Sequence, residues 1–558
     1  MEEHFDAVVV GSGFGASVAA CRLAQAGRSV LVLERGRSYP PGSFPRSPRG
    51  LSSNLWDPSA GLYGMFDVWA FSGIESVVSS GLGGGSLIYA NVMLRKDPAW
   101  FVDDAPDRPP QPWPVTYADL EPHYEAAEAM LGVQRYPFDV APYSATAKTR
   151  ATRHAADMLG LDWQLPPLAV SFANPGQSPV PGQPLIEEHP NLHGRPRLTC
   201  RLCGECDVGC NDGAKNTLDY TYLSRAVDAG AQIRTLCEVW RIDPRGSGDG
   251  YRVTYIHHDP DSPGPGRTVV VTGDRLVLGA GTFGSTYLLL RNRAAFPVLG
   301  PALGTRFSGN GDLLTVLRHS RRKLEYGTEP RPLNPEDGPV ITSAIRMPDT
   351  LDGHGPVGRG FYIEDGGNPN FLDWVVQTAG APSMAARLVG FAARRVWSHL
   401  RRRPLSNISD DIAGLFGGGV TSATALPLLA MGRDIPNGTM RLRDGNLDVH
   451  WSTSSSSAYF NRVEATLRQI AQVLEADLAN TPLWLFKRLI TVHPLGGVPM
   501  GASPDRGVVD RWGEAFAYPG LHVVDGSVMP GPVGPNPSLT IAAFAERAAA
   551  HIIGKDSP

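Results

Sequence analysis

Phe5 to Gly36 reads FDAVVVGSGFGASVAACRLAQAGRSVLVLERG, and this stretch decides the fold. An apolar, β-branched run, Ala7 to Val10, leads into a glycine cluster at Gly11, Gly13 and Gly15. Ala16 to Ala26 carry small and apolar residues at helical spacing, and a second apolar run, Ser29 to Leu33, ends on Glu34. The order is strand, tight turn, helix, strand, acid, which is one βαβ unit. The fingerprint is G-x-G-x-x-A. Gly11 lets the chain turn sharply, Gly13 lets the backbone approach a pyrophosphate, and the small Ala16 lets helix and strand pack closely. The helix N-terminus offers free N–H groups and the positive end of its dipole to phosphates. Glu34 lies about 20 residues on, where a carboxylate bonds an adenosine ribose hydroxyl. The unit therefore reads as a dinucleotide site.

The rest of the composition bounds what this site serves. A chain of 558 residues exceeds a single core and is expected to form at least two domains. Net charge is −4, which gives no global electrostatic case for nucleic acid. The apolar runs fall short of the ~18 residues that span a bilayer, so no integral membrane segment is expected. The first strand begins almost at once, leaving no room for a signal peptide, and a cytoplasmic location is expected. Of six cysteines, four lie between Cys200 and Cys210, which is not a secreted disulfide framework.

Working outward, residues 37–70 are rich in Pro, Ser and Gly and are expected to be loop. The run Gly81, Gly83, Gly84, Gly85, Ser86 suits neither strand nor helix. It suits a backbone lying flat against a bulky ligand. A helix is expected near Tyr117–Leu131, and AKNTLDYTYLSRAVDAG reads as a helical stretch. Strands are expected at Ala231–Ile242, Tyr251–His257 and near Arg267–Thr272. Asp274 to Asn292 repeats the strand, small-residue turn and helix of the N-terminus, so it is expected in the same sheet. Met384–Leu400 reads as a surface helix with a basic C-terminal turn, and 455–475 as another helix. His493 to Gly497 form one turn. Leu521–Val524 is a strand ending in Asp525-Gly526-Ser527, and a proline-fixed turn from Gly531 leads to a helix from about Pro537.

These pieces resemble the glucose–methanol–choline (GMC) flavoprotein oxidoreductases, and within them the cholesterol-oxidase-like branch. The matching segments are GSGFGA, LVLERG, GLGGGSLIYANV, AKNTLDYTYL, VLGAGTFGSTYLLL, SGNGD, HPLGG and VDGSVMPGPVGPNPSLTIAAFAER. The resemblance implies an α/β fold with a discontinuous Rossmann-like FAD-binding domain, 1–96, 211–312 and 485–558. It implies an α+β substrate-binding domain on an antiparallel sheet, 97–210 and 313–484. It also implies FAD, held by Gly11, Gly13, Gly15, Glu34, Gly83, Gly84, Gly85, Ser86, Asn91, Asp525, Gly526, Asn536 and Pro537. No histidine stands beside the glycine-rich run, so the flavin is expected to be non-covalent. The catalytic pair maps onto His493 and Asn536. A proton acceptor for an alcohol must be neutral near pH 7, and histidine is, with an ordinary pKa near ~6.5. Asn536 can donate or accept beside the substrate oxygen, and Pro535 and Pro537 restrict its backbone. Asparagine equally suits a helix N-cap.

The expected activity is hydride transfer from an alcohol CH–OH group to flavin, on an apolar and cyclic, steroid-like or long-chain small molecule. The rival is a non-redox isomerase or lyase on the same scaffold, with His493 moving protons only. In the branch the chain resembles, a carboxylate for double-bond isomerisation precedes a strand that reads here as Leu426–Met440; Gly419 to Thr424 holds none, which argues against steroid isomerisation and a 3-hydroxysterol substrate. Cys200, Cys203, Cys206 and Cys210 have the C-x2-C-x2-C-x3-C spacing of a ferredoxin run. No second set accompanies them and no proline follows Cys210. A structural or partly disulfide-bonded loop is the preferred reading, with an iron–sulfur cluster or zinc as the alternative.

Overall fold

The computed structural model describes residues 2–556 except 48–49, 52, 107–108, 247–248, 263, 265, 354–356, 368–423 and 481–488. The quoted stretch forms β1 (Glu3–Val10), α1 (Phe14–Gln25) and β2 (Val30–Leu33). The same sheet takes β3 (Gln232–Arg234), β4 (Cys237–Pro244), β5 (Tyr251–His257), β6 (Arg267–Leu278) and β7 (Leu521–Val523). Its order is β3-β2-β1-β6-β5-β4, with β7 also on β6. β1 pairs in parallel with β2 and β6, so Val8 sits between Leu31 and Leu276. β6 is a single long strand: its first half pairs with β5 antiparallel, and Leu276–Leu278 pair with β7 in parallel. All four residues of β2 are buried, as parallel strands covered on both faces require.

α1 covers the sheet with small residues, and α2 (Gly281–Arg291) repeats the arrangement after β6. α3 (Ser538–Asp556) lies on α1, where Arg22 makes two 2.7 Å bonds to Glu546 and the Tyr222 hydroxyl donates to the same carboxylate at 2.6 Å. A second sheet is antiparallel at every pairing, in the order Asp162–Gln164, Ala344–Met347, Phe361–Asp365, Leu426–Gly432, Leu313–Arg318, Asp477–Asn480. Helices Ala147–Leu159 and Ser457–Val473 share its apolar core. The fold is therefore the expected α/β Rossmann-like unit with an antiparallel α+β partner.

Several local expectations are corrected. Residues 37–70 include strands Trp56–Asp57, Leu62–Tyr63 and Phe66–Ala70, because their aromatic residues suit pleated pairs. Only Tyr222–Asp228 of the AKNTLDYTYLSRAVDAG stretch is helical. Its first half is a bridge at Lys215 followed by a turn: Leu218 N–H donates to Ser86 Oγ, and Lys215 reaches the Leu87 carbonyl. The strand read at Leu426–Met440 ends at Gly432, and a new one begins at Thr439, with Pro436 between them. The strands read near Arg267–Thr272 and from Asp274 are one, β6. The Met384–Leu400 helix lies outside the described residues.

Candidate active site

Four glycine turns from distant parts of the chain meet beyond the ends of β1, β6 and β7. A Cβ on Gly11 (φ +93°) would stand 2.4 Å from Gly279 O, and one on Gly15 would stand 1.9 Å from Val524 O. A Cβ on Gly84 (φ +52°) would stand 2.6 Å from Gly13 Cα. The same test at Gly279 puts Ala16 Cβ at 2.6 Å, so the small residue after G-x-G has the packing role its type implies. Gly83 N–H donates to Ser12 Oγ at 3.0 Å, and Ser12 Oγ donates to Glu34 Oε2 at 2.5 Å. Glu34 also accepts from Gly36 N–H, and burial pushes its pKa up. Ser86 Oγ donates to the Gly83 carbonyl at 2.7 Å.

Asp525 ties the C-terminal turn into this centre. Its Oδ2 accepts from Gly281 N–H (2.9 Å) and Ser285 Oγ (2.5 Å), and its Oδ1 from Ser527 N–H (2.9 Å) and Ser527 Oγ (2.5 Å). Gly526 O accepts from Gly496 N–H at 3.0 Å, which joins the Asp-Gly-Ser turn to the His493 turn. Asn91 is fully buried at φ +71°, and both atoms of its side-chain amide lack a partner.

The strand Leu489–Thr491 delivers His493, whose side chain is 14% exposed. Its Nδ1 lies 2.8 Å from Asp312 Oδ1, while Nε2 has no partner among the described residues. Two residues before Asp312, Asn310 grips the C-terminal turn. Its Oδ1 accepts from Gly534 N–H (2.9 Å), and its Nδ2 donates to the carbonyls of Gly534 (3.2 Å) and Pro535 (3.1 Å). Lys96, fully buried, holds the other side of that turn through the carbonyls of Pro532 (2.8 Å) and Val533 (3.0 Å), over the Trp113 ring. Burial drives its pKa well below the ordinary value.

Asn536 therefore stands in a turn clamped from two sides. It does not cap the helix: α3 begins at Ser538, and the Pro537 carbonyl accepts from Ile541 N–H. Its Nδ2 donates instead to Glu364 Oε2 at 3.3 Å. Asn536 Oδ1 and Glu364 Oε1 are buried without partners. Burial pushes Glu364 up to about 8. Glu364 was missed in the sequence. Its only signal is its place in the strand Phe361–Asp365, where it precedes a second acid, Asp365, and the strand pairs with Leu426–Gly432. Lys96 gave no sequence signal, and Asp312 was visible only as part of S-G-N-G-D.

All six cysteines are free thiols. Cys200, Cys203, Cys206 and Cys210 line one small void, where burial raises Cys203 to about 12 and holds Cys200 well above the ordinary thiol value. Among the described residues no group of three or more His, Cys, Asp or Glu side chains is arranged to hold a metal ion, and no disulfide forms. The partly disulfide-bonded alternative thus gives way to a reduced loop, packed by Lys215 Nζ on the Cys206 carbonyl at 2.8 Å. No helix of the described residues is long and apolar enough to cross a membrane.

The glycine turns of a dinucleotide-type βαβ unit are thus tied, through Asp525 and Gly526, to the turn that carries His493. Residues 194–300 and 435–545 match family models described as GMC oxidoreductase, and residues 9–42 match an NAD(P)-binding Rossmann-like domain. A cholesterol oxidase of Mycobacterium tuberculosis is 31% identical, covering 98% of this chain and 91% of that one. A cholesterol oxidase of Acinetobacter baumannii is 27% identical, over 99% and 95%. A long-chain-alcohol oxidase of Arabidopsis thaliana is 24% identical, over 97% and 66%. Among solved structures, a formate oxidase superposes with TM-score 0.61 at 13% identity, over 99% of both chains. A pyridoxine 4-oxidase from Mesorbium loti does so with TM-score 0.57 at 18% identity, over 98% of both. The chain belongs to the GMC oxidoreductase family and is an FAD-dependent oxidoreductase of the alcohol-oxidising kind.

The residues present fit that cofactor. A Cβ at Gly85 would meet nothing within 4 Å and one at Gly13 only Gly279 O at 3.9 Å, so the two glycine turns face open space. The N-terminus of α1 carries no side-chain cap and no acid in its first turn, which leaves its N–H groups to an anion. The unpartnered amide of Asn91 follows the second glycine turn.

Proposed function

We propose that the chain oxidises the CH–OH group of an apolar alcohol, with His493 accepting the hydroxyl proton and Asn536 bonding the substrate oxygen. FAD, when bound, supplies the hydride acceptor, flavin N5. Gly11, Gly13, Gly15 and the α1 N-terminus would hold its pyrophosphate, and Glu34 the adenosine ribose. Gly83, Gly84, Gly85, Ser86 and Asn91 would line the flavin edge, with Asp525, Gly526 and Pro537 bounding the ribityl and pyrimidine side and no covalent link. The FAD-binding part comprises 1–96, 211–312 and 485–558, and the substrate part 97–210 and 313–484.

The observation that carries this reading is the state of the imidazole. One ring nitrogen is engaged by a carboxylate and the other carries no partner, on a side chain that is not fully buried. A base so placed accepts a proton at Nε2. Asn536, turned away from capping, gives one Nδ2 hydrogen to Glu364 and has a second to donate to the substrate oxygen, whose own proton goes to His493. An apolar alcohol is favoured by the relatives named cholesterol oxidase and long-chain-alcohol oxidase.

The test is anaerobic mixing of the purified holoenzyme with a panel of sterols, terpenoid, aryl and long-chain alcohols. Bleaching of the flavin band by one class is expected, and admission of air then separates oxidase from dehydrogenase. Turnover without bleaching would support the isomerase or lyase rival, and a panel that neither bleaches nor turns over would remove the alcohol reading.

A further inference from the structure

We propose that Asp312 is a positioning residue that fixes His493 in the Nδ1-protonated form, and that its loop, Ser308–Asp312, sets the imidazole and Asn536 relative to each other. The proposal rests on the reading of His493 as the proton acceptor. An ionised carboxylate only accepts hydrogen bonds, so the nitrogen facing Asp312 must carry the proton and Nε2 keeps its lone pair. Asp312 cannot turn away. Its side chain is 1% exposed, and Oδ2 accepts from Thr491 Oγ1 and from Val492 N–H, both at 2.9 Å, which leaves Oδ1 for the ring. Thr491 and Val492 are also the residues leading to His493, so acid and base are indexed to one strand end.

The loop is over-determined. Asn310 (φ +53°) and Gly311 (φ +66°) both occupy the left-handed region, which costs energy at asparagine and persists only when the surroundings enforce it. Tyr459 Oη donates to Gly311 O at 2.9 Å, and a Cβ on Gly311 would stand 2.4 Å from that oxygen. Gly432 N–H donates to Asn310 O at 2.8 Å, Gly309 N–H donates to Asp434 Oδ2 at 3.0 Å, and Ser308 Oγ donates to the same carboxylate. From this frame Asn310 holds Gly534 and Pro535, the residues before Asn536, while Asp312 holds His493. One rigid turn thereby fixes the spacing of two groups that lie 43 positions apart in the chain. The other titratable groups facing the pair are Glu364 on the antiparallel sheet, Asp434 after the strand Leu426–Gly432, and the Tyr459 hydroxyl on the helix Ser457–Val473.

The experiment compares holoenzyme Asp312→Asn, Asp312→Glu and His493→Gln with the parent, against the alcohol that bleaches the flavin. Asp312→Asn is expected to retain FAD and keep KM, while anaerobic flavin reduction slows by about 10²-fold. Asp312→Glu should recover part of the rate. Ring 15N shifts of His493, assigned by their loss in His493→Gln, should show protonated Nδ1 and bare Nε2 in the parent and a mixed tautomer in Asp312→Asn. An Nε2-protonated ring in the parent would overturn the proposal even if Asp312→Asn failed to fold. So would flavin reduction at the parent rate in Asp312→Asn. If His493→Gln itself reduces flavin normally, the reading of His493 as base fails first, which distinguishes the two failures.

Discussion

The side-chain amide of Asn536 donates to Glu364 at 3.3 Å, and each of the two groups keeps one buried oxygen with no partner. Burial is the main reason that Glu364 titrates at about 8 rather than its ordinary 4.5, so near neutral pH it is chiefly the uncharged acid and can donate as well as accept. In the unfolded chain the same group ionises near 4.5. The folded state therefore binds the extra proton between these values, and stability falls as pH rises from about 4.5 to about 8, then levels. Glu364→Gln, a neutral isostere, should remove that fall, which is worth on the order of a few kcal/mol. Melting temperatures of parent and variant holoenzyme from pH 5 to 8.5 check it: the parent curve should decline more steeply, and parallel curves would contradict the assignment.

His493→Ala should leave the flavin spectrum of the purified protein intact, because the described contacts of the imidazole are with Asp312 and not with the glycine turns. Flavin reduction by the active alcohol should slow by ~10²–10⁴, the worth of a positioned base. Stopped-flow absorbance under argon measures it, and an unchanged rate removes His493 from the chemistry.

What was legible in the sequence follows from how local each signal is. The βαβ unit is complete within thirty residues, and its turn, helix and acid are each dictated by side-chain size and backbone freedom, so Gly11, Gly13, Ala16 and Glu34 sit where the pattern put them. The turns that hold His493 and Asn536 were legible because each is short and bounded by proline or glycine. Glu364 was not, because its role exists only through Asn536, 172 positions away, and through a strand pairing that no local pattern encodes. The short aromatic strands between Trp56 and Ala70 were hidden by a Pro- and Ser-rich composition that normally marks loop. The cysteine spacing left a structural or partly disulfide-bonded loop open beside a cluster, because spacing along a chain does not fix the directions of four Sγ atoms, and the described loop forms no disulfide.

The two central glycines of the second turn should respond differently to alanine. At Gly84, with φ +52°, the new methyl would stand 2.6 Å from Gly13 Cα and 3.0 Å from Gly13 N, both backbone atoms that cannot step aside. Gly84→Ala should therefore push the two turns apart, lower the melting temperature, with a cost of about 1–3 kcal/mol, and reduce FAD content. At Gly85 the methyl meets no protein atom within 4 Å, so Gly85→Ala should leave apoprotein stability within about 0.5 kcal/mol. Because that open space is where the cofactor is proposed to lie, Gly85→Ala should still weaken reconstitution. Apoprotein melting and a fluorescence titration with FAD separate the two, and equal FAD affinity for Gly85→Ala and the parent would place the flavin elsewhere.

Asp525 supplies the sharpest stability test, because two of its four described hydrogen bonds tie the C-terminal turn to the start of α2 and the other two brace that turn internally. Gly281 and Ser285 belong to the start of α2 and Ser527 to the C-terminal turn, so the carboxylate is the node where β6, β7 and the path to α3 are held together. Every donor points at an acceptor-only group. In Asp525→Asn the new NH2 must face either Gly281 N–H and Ser285 Oγ or Ser527 N–H and Ser527 Oγ. One pair then loses its acceptor inside the core, and an unsatisfied buried donor costs about 1–3 kcal/mol. Asp525→Asn should thus be destabilised by at least that amount, and the loss should persist in apoprotein, where no cofactor contact contributes. Denaturant unfolding of apo and holo forms of both proteins checks it: a deficit present in both forms fits a structural node, whereas a deficit confined to the holo form would mean that Asp525 acts chiefly through FAD.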